Sequence, residues 1–157
     1  MNVIRIGYSG SRNGMTKPQL IAVYRYLSGI LLASDWDDLL IEAHHGDCAG
    51  GDAQFHVIAT VLGCRTVAHP PLGHAWRAYC KADEIRAPKG YLSRDRDIVS
   101  ETGELLAGPA SSAPDGSGTW TTISYGVRMN RPVKIFMPAD GTVRAGSEFG
   151  PAWGVYR

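Results

Sequence analysis

Apolar residues fall into two regimes along the chain. Short continuous runs, VIRIGY (3–8), LLIEAH (39–44), RTVAHP (65–70), ELLAG (104–108) and VKIFMP (133–138), read as strands. Continuous rather than alternating runs are expected where both faces of a parallel sheet are covered. Between the runs the apolar residues return at helical spacing. Leu20, Val23, Tyr24, Leu27, Ile30 and Leu31 form one buried stripe behind a capping box made by Thr16 and Gln19. A second helix begins near Gly51, carries Phe55, Ile58, Ala59 and Leu62 inward, and stops at Gly63. SRDRDIVSETG predicts a third, with Ser93 as cap and Gly103 as stop, and the last spans 119–130. HAWRAYCKADEIRA, within 71–88, reads as a short helix, but the flanking prolines and Gly73 favour a long excursion from the core. The tail, 142–157, adds a small hairpin or packs its aromatics on a neighbour.

Strands alternating with helices predict an α/β layer fold with a mainly parallel sheet of about five strands and right-handed crossovers. At 157 residues, one domain accommodates all of it, with a core over 3–141 and 142–157 as a C-terminal extension.

Composition narrows the function classes. Hydrophobic residues make up 44% and charged residues 20%, an ordinary globular balance. The formal charge is +1 with no block of Lys and Arg, so nucleic acid is not the expected partner. No leader pattern and no apolar run of membrane-spanning length is present. Cys48, Cys64 and Cys80 are odd in number and widely spaced. That suits reduced thiols and a cytoplasmic setting.

The candidate chemistry lies in the glycines. GYSGSRNG follows the first strand, HGDCAGGD the second and PDGSGT the fourth. In a parallel sheet, loops at the strand carboxyl ends form the ligand site. Glycine lets backbone amides approach a ligand, and helix N-termini favour anions. A tight turn explains any one loop; three at one sheet edge favour an anionic ligand. Neither a Walker-type G-x-x-x-x-G-K-[ST] nor G-x-G-x-x-G occurs, so the P-loop NTPase and standard dinucleotide fingerprints are missing.

Taken in order, GYSGSR, HGDCAGGD, HPP, YLSRDRDIV and DGSGTWTTISYGVRMNRPVKIFMPADG resemble the SLOG superfamily over roughly residues 3–141. That group includes the Lonely Guy phosphoribohydrolases and the DNA-processing recombination mediators. The resemblance implies a Rossmann-like three-layer sandwich that binds a nucleotide or nucleotide-derived ligand at the strand ends, and a homo-oligomer. It places Ser9, Gly10, Ser11 and Arg12 in the first loop wall. Gly46, Asp47, Ala49, Gly50 and Asp52 form the second, with Gly51 as an extra glycine. Gly116, Gly118 and Thr119 match the phosphate loop; apart from the resemblance, Ser117 can bond an anion beside the helix-start amides, and Arg12 and Arg94 can each clamp a phosphate bidentately. Two positions depart from the pattern. Arg94-Asp95 stands where relatives have Arg-Asn, and Thr122 stands where the Lonely Guy signature keeps its glutamate. The phosphoribohydrolase reaction therefore does not carry over directly.

Two readings follow. In one the chain binds a nucleotide-like molecule without turnover, Thr122 being among the ligand-facing residues. In the other it cleaves or transfers an N-glycosidic bond with Asp52 or Asp95 as the catalytic carboxylate. Capping of a helix start competes for Asp47 and Asp52, and ion pairing with a neighbouring acid competes for Arg12 and Arg94. A thiolate at Cys48 is favoured by its helix start, though a small buried residue is the simpler account. His44 and His45 are adjacent on a strand end and point oppositely, with no further ligand cluster at zinc-like spacing. No metal or cofactor is expected. His69 lining the pocket, and Trp76, Tyr79 or Tyr91 stacking on a base, complete the candidates.

Overall fold

A computed structural model describes residues 1–35 and 37–150. The chain runs β1 (Asn2–Gly10), α1 (Lys17–Ala33), β2 (Leu39–His45), α2 (Gly51–Val61), β3 (Arg65–Ala68), β4 (Glu84–Ile85), α3 (Tyr91–Glu101), β5 (Glu104–Gly108), α4 (Gly118–Arg128), β6 (Val133–Phe136) and β7 (Val143–Ala145), closing with a 3-10 helix (Gly146–Phe149). The strands form one sheet in the order β4-β3-β2-β1-β5-β6-β7. All neighbours pair in parallel except β6 and β7.

The period-two alternation of strand side chains divides the interior into two cores. Ile6, Tyr8, Ile41, Ala43 and Leu106 pack under α1 and α2 with Val23, Leu27, Phe55 and Ala59. Leu105, Ala107 and Ile135 point the other way, against Ile98 and Val99 of α3 and Trp120 and Ile123 of α4. The result is the expected three-layer Rossmann-like sandwich. On β2 the alternation sends Ile41, Ala43 and His45 toward α2, and Glu42 and His44 toward α3.

The capping box at α1 forms as the sequence predicts: Gln19 N donates to Thr16 Oγ1 at 3.3 Å, and Thr16 N donates to Gln19 Oε1 at 2.9 Å. Gln19 does more than cap. Its buried amide donates to the carbonyls of Pro109 (2.7 Å) and Phe136 (2.8 Å), tying α1 to the ends of β5 and β6.

Three local expectations are corrected, and for residues 71–88 the favoured alternative holds. The sheet has seven strands rather than about five, because β4 and β7 are two and three residues long and too short to show a period. Residues 71–88 contain no helix; they form the excursion, stitched to the loop after β2 by Ala49 N to Trp76 O (2.7 Å) and Ala78 N to Asp47 O (2.8 Å). Ser93 lies inside the first turn of α3, whose N-cap is Gly90. Tyr24 is 45% exposed, one position off the buried stripe carried by Val23 and Leu27. The tail does form a hairpin through β7, and Phe149 packs edge-on against Trp120 at 5.1 Å. Residues 151–157, and any aromatic packing expected there, lie outside the described residues. No helix among the described residues is long and apolar enough to cross a membrane.

Candidate functional site

Strand order reverses at β1, whose neighbours β2 and β5 lead away on opposite sides. In open α/β sheets such a switch point leaves a crevice outside the strand carboxyl ends. A cleft of about 440 Å³ lies there, lined from β1 and its loop, the loop after β2, α3, and the loop entering α4.

The first two glycine loops interlock. Gly51 N donates to Ser11 O at 2.8 Å, and Ser11 N to Gly108 O at 3.4 Å. Gly50 takes φ +89°, and a Cβ there would come within 2.2 Å of the Arg12 carbonyl oxygen. Gly10, Gly51 and Gly108 crowd around one hydroxyl: added Cβ atoms would meet Tyr8 Oη at 2.2, 2.8 and 2.7 Å. Tyr8 is fully buried and stacks on Phe55 with centroids 4.7 Å apart. Its hydroxyl has no hydrogen-bond partner among the described residues. Burial, reinforced by the charge of Asp52, pushes its pKa well up, so it stays a neutral donor.

Arg94 forms the back wall. One η nitrogen donates to the carbonyls of Gly46 and, at 3.2 Å, of His69, and lies 3.7 Å from Cys48 Sγ. Its Nε stands 2.6 Å from Asp95 Oδ1, an ion pair without hydrogen-bond geometry. Gly46 has no Cβ because Arg94 occupies that space: the nearest approach would be 2.2 Å to Nη1, with Asp52 Oδ2 at 2.8 Å. Asp52 is buried and accepts from Cys48 N at 3.2 Å. Burial raises its pKa to about 7, against the pull of Arg94 and that amide. Asp95 is also raised by burial, with Arg94 and Thr122 opposing. A cation flanked by two buried carboxylates, one titrating near neutrality, can hold an anion, receive a proton or give one.

At the mouth the Arg12 guanidinium lies between two rings, 5.2 Å from that of Trp76 and 4.9 Å from that of Tyr91. Arg12 has no carboxylate within ion-pair distance among the described residues, leaving its charge for a ligand. The opposite wall is the loop entering α4. Ser117 Oγ accepts from Trp120 N at 3.4 Å, so the residue expected to face phosphate is also the helix cap. The loop is pinned by Asp115, which accepts from Ser111 Oγ and Ser117 N, each at 2.8 Å, and by the Trp120 indole N–H, which faces Ser111.

Of the residues expected from sequence, the cleft brings together Ser9, Gly10, Ser11, Arg12, Gly46, Asp52, Arg94, Asp95, Ser117, Gly118 and Thr119. Five lie outside its lining. Asp47, at φ +53°, is turned into the excursion, where Arg77 Nε (3.1 Å) and Cys80 N (2.9 Å) donate to it. Ala49 N donates to the Trp76 carbonyl of the excursion, and Gly50 serves the loop interlock. Gly116 borders the outer loop. Thr122 sits one turn into α4 and donates to Asp95 Oδ2 at 3.0 Å, acting on the cleft through that carboxylate. Tyr8 and Ala110 line the cleft without having been expected from sequence; Tyr8 reads as an apolar strand position. Cys48 lines the cleft as a small buried thiol whose pKa burial raises, in keeping with the simpler account from sequence. His69 contributes its carbonyl to Arg94 while its ring faces away. Trp76 and Tyr91 hold Arg12, and Tyr79 stacks on His74 instead.

No protein-family model matches the chain, and no curated protein matches it. Solved structures do. The molybdenum cofactor binding protein of Rippkaea orientalis aligns with TM-score 0.65 and 18% identity, over 86% of this chain and 77% of that one. The molybdenum cofactor carrier protein of Chlamydomonas reinhardtii aligns with TM-score 0.60 and 17% identity, over 85% and 76%. DNA processing protein A of Streptococcus pneumoniae aligns with TM-score 0.60 and 19% identity, over 85% of this chain and 50% of that one. At these identities the likeness is one of fold: the chain shares the Rossmann-like α/β fold of these proteins.

Proposed function

We propose that the chain binds a nucleotide or nucleotide-derived small molecule in the cleft at the end of β1. The observation that carries this reading is the buried, unpartnered Tyr8 hydroxyl at the cleft floor, seated where three glycines lack a Cβ. A buried donor left unsatisfied costs about 1–3 kcal/mol; a ligand oxygen or ring nitrogen at that floor removes the cost. Arg12 and the amides at the start of α4 supply positive potential for a phosphate, and the exposed rings beside Arg12 offer a surface for a base. Two of the structural neighbours are a molybdenum cofactor binding protein and a molybdenum cofactor carrier protein, which supports a small-molecule ligand at this fold. Three free cysteines suit a reducing cytoplasm. Self-association is part of the reading, supported by exposed Ile21, Tyr24 and Leu32 on α1 with Val57 and Val61 on α2. Sedimentation as a monomer at every concentration removes that part.

Thermal melting against nucleoside mono- and diphosphates, dinucleotides and molybdenum cofactor tests the binding. A ligand that binds only the native state raises the melting temperature. If none does so at millimolar concentration, the reading fails.

A second reading rests on Asp52. A buried carboxyl with pKa about 7 beside Arg94 is equipped to protonate a leaving base or activate water in N-glycosidic cleavage. Chromatographic detection of released base, lost in Asp52→Asn, supports it; ligand recovered intact after long incubation supports binding alone.

A further inference from the structure

Two clusters of metal-competent side chains lie outside the cleft, one on each side of β2: His45 with His56 and Cys80, and His44 with His69 and Glu101. Their hydrogen bonds separate them. His45 Nδ1 accepts from Asp47 N at 3.0 Å, so its proton is on Nε2, facing His56 Nδ1 at 3.0 Å. A cation at Nε2 would require an imidazolate, and this cluster is a hydrogen-bond chain.

His44 has the opposite arrangement. Its Nε2 lies 2.8 Å from Glu42 Oε1, a carboxylate that also receives Arg5 and Arg65. The proton therefore sits on Nε2 and Nδ1 presents a lone pair. A histidine that donates its far N–H to a carboxylate is the usual posture of a metal ligand. His44 Nδ1 is 2.9 Å from His69 Nε2 and 3.8 Å from Glu101 Oε2, and His69 Nε2 is 3.7 Å from that oxygen. The point equidistant from three atoms so spaced lies about 2.0 Å from each, within the ranges of about 2.0–2.1 Å for Zn–N and 2.0–2.2 Å for Zn–O. Glu101 Oε2 is a buried oxygen that accepts no hydrogen bond, although Arg86 Nη2 stands 3.1 Å away.

We propose that His44, His69 and Glu101 form a site for one zinc-class divalent cation, with Glu42 orienting His44 and water completing the coordination. His69 keeps its single proton by moving it from Nε2 to Nδ1, which frees Nε2 for the cation. Arg86 is half-exposed and has Glu84 as a second partner at 2.5 Å, so it leaves Glu101 without being stranded. The site joins β2, the end of β3 and α3 behind the wall that holds Arg94, whose guanidinium already binds the His69 carbonyl.

Tag-free protein stripped with chelator and titrated with Zn²⁺ in a calorimeter tests this, alongside Co²⁺ read by its visible absorption. The expected result is one equivalent per chain, tetrahedral cobalt bands, and a zinc-dependent rise in melting temperature. Glu101→Gln, a partly exposed and nearly isosteric change, weakens Zn²⁺ at least about tenfold, and Glu42→Gln weakens it by about the same factor. His56→Ala leaves binding unchanged. Melting in chelator confirms that each variant is folded, and Glu101→Gln decides the matter if a histidine variant is not. Absence of stoichiometric binding to the unaltered chain, unaltered binding by Glu101→Gln, or loss in His56→Ala overturns the proposal.

Discussion

The cleft has two glycine-bearing walls, built on different physical grounds. On the inner wall, Gly10, Gly46 and Gly51 are glycine because other atoms occupy the Cβ position: Tyr8 Oη, Arg94 and Asp52 lie within 2.2 to 2.8 Å of it. On the outer wall, Gly116 and Gly118 have no atom within 4 Å of an added Cβ and no positive φ. The first absence of side chain is filled by the protein's own buried polar groups, a neutral hydroxyl at Gly10 and Gly51 and the Arg94–Asp52 charges at Gly46. The second is filled by nothing the chain supplies, as expected where a ligand approaches backbone amides. Stability should therefore reside in the inner wall and affinity in the outer one, and substitutions at each can pull the two apart.

The largest effect is expected at Gly46. In Gly46→Ala the new methyl must displace Arg94 or Asp52 from a close-packed position, and overpacking of this kind costs about 1–3 kcal/mol before any loss of charge pairing. A fall in melting temperature of about 6–12 °C corresponds to about 3 kcal/mol in a chain of this size. A melting temperature within about 2 °C of the parent would mean that Arg94 has room to move and is not a fixed wall.

Gly118→Val sharpens the contrast from the other side. An added Cβ meets no atom within 4 Å there and the position lies in the exposed first turn of α4, so melting should stay within about 2 °C. Binding of whichever nucleotide-like probe raises the parent's melting temperature should weaken about thirtyfold, about 2 kcal/mol. Retained affinity with an intact fold removes the outer wall from the site; loss of fold makes Gly118 structural and erases the distinction between the walls.

Much of this architecture was legible because it rests on local signals. Continuous apolar runs marked the parallel strands, and Thr16 with Gln19 marked the start of α1. Three glycine loops at strand ends located the cleft. What stayed hidden depends on direction or on distance. Asp47 lies in a glycine loop, yet a single left-handed residue turns it into the excursion. Tyr8 looks like core until the unpartnered hydroxyl is seen. His44 and His69 are 25 residues apart, and Glu101 joins them only through the packing of α3, so no spacing in the sequence announces the cluster.

The inner wall also carries a pH signature. Asp52 has a folded pKa of about 7 against an unfolded reference of 3.8. A raised acid favours the native state fully below the unfolded value, and that contribution is lost as pH rises from about 4 through 7. Asn resembles the protonated form at every pH. Asp52→Asn should melt with the parent near pH 4 and increasingly above it as pH rises from about 4 through 7. A difference that does not change with pH would show that Arg94 and the Cys48 amide fully offset the burial of Asp52.

The smallest effect separates two roles of one hydroxyl on the outer wall. Ser117 caps α4 through a long 3.4 Å contact with Trp120 N, and it lines the cleft. Replacing a serine cap by alanine costs about 0.5–2 kcal/mol, whereas glycine costs a few tenths. The weak geometry here places Ser117→Ala near the bottom of that range, with Ser117→Gly close to the parent. Both remove the hydroxyl from a ligand equally. If Ser117 bonds the anion, the two variants lose the same affinity, about three- to tenfold, while differing in melting temperature. If it only caps, affinity should track helix stability, with alanine weaker than glycine. Equal stability and unaltered affinity in both would leave the hydroxyl without a role, and the outer wall would then act through backbone amides alone.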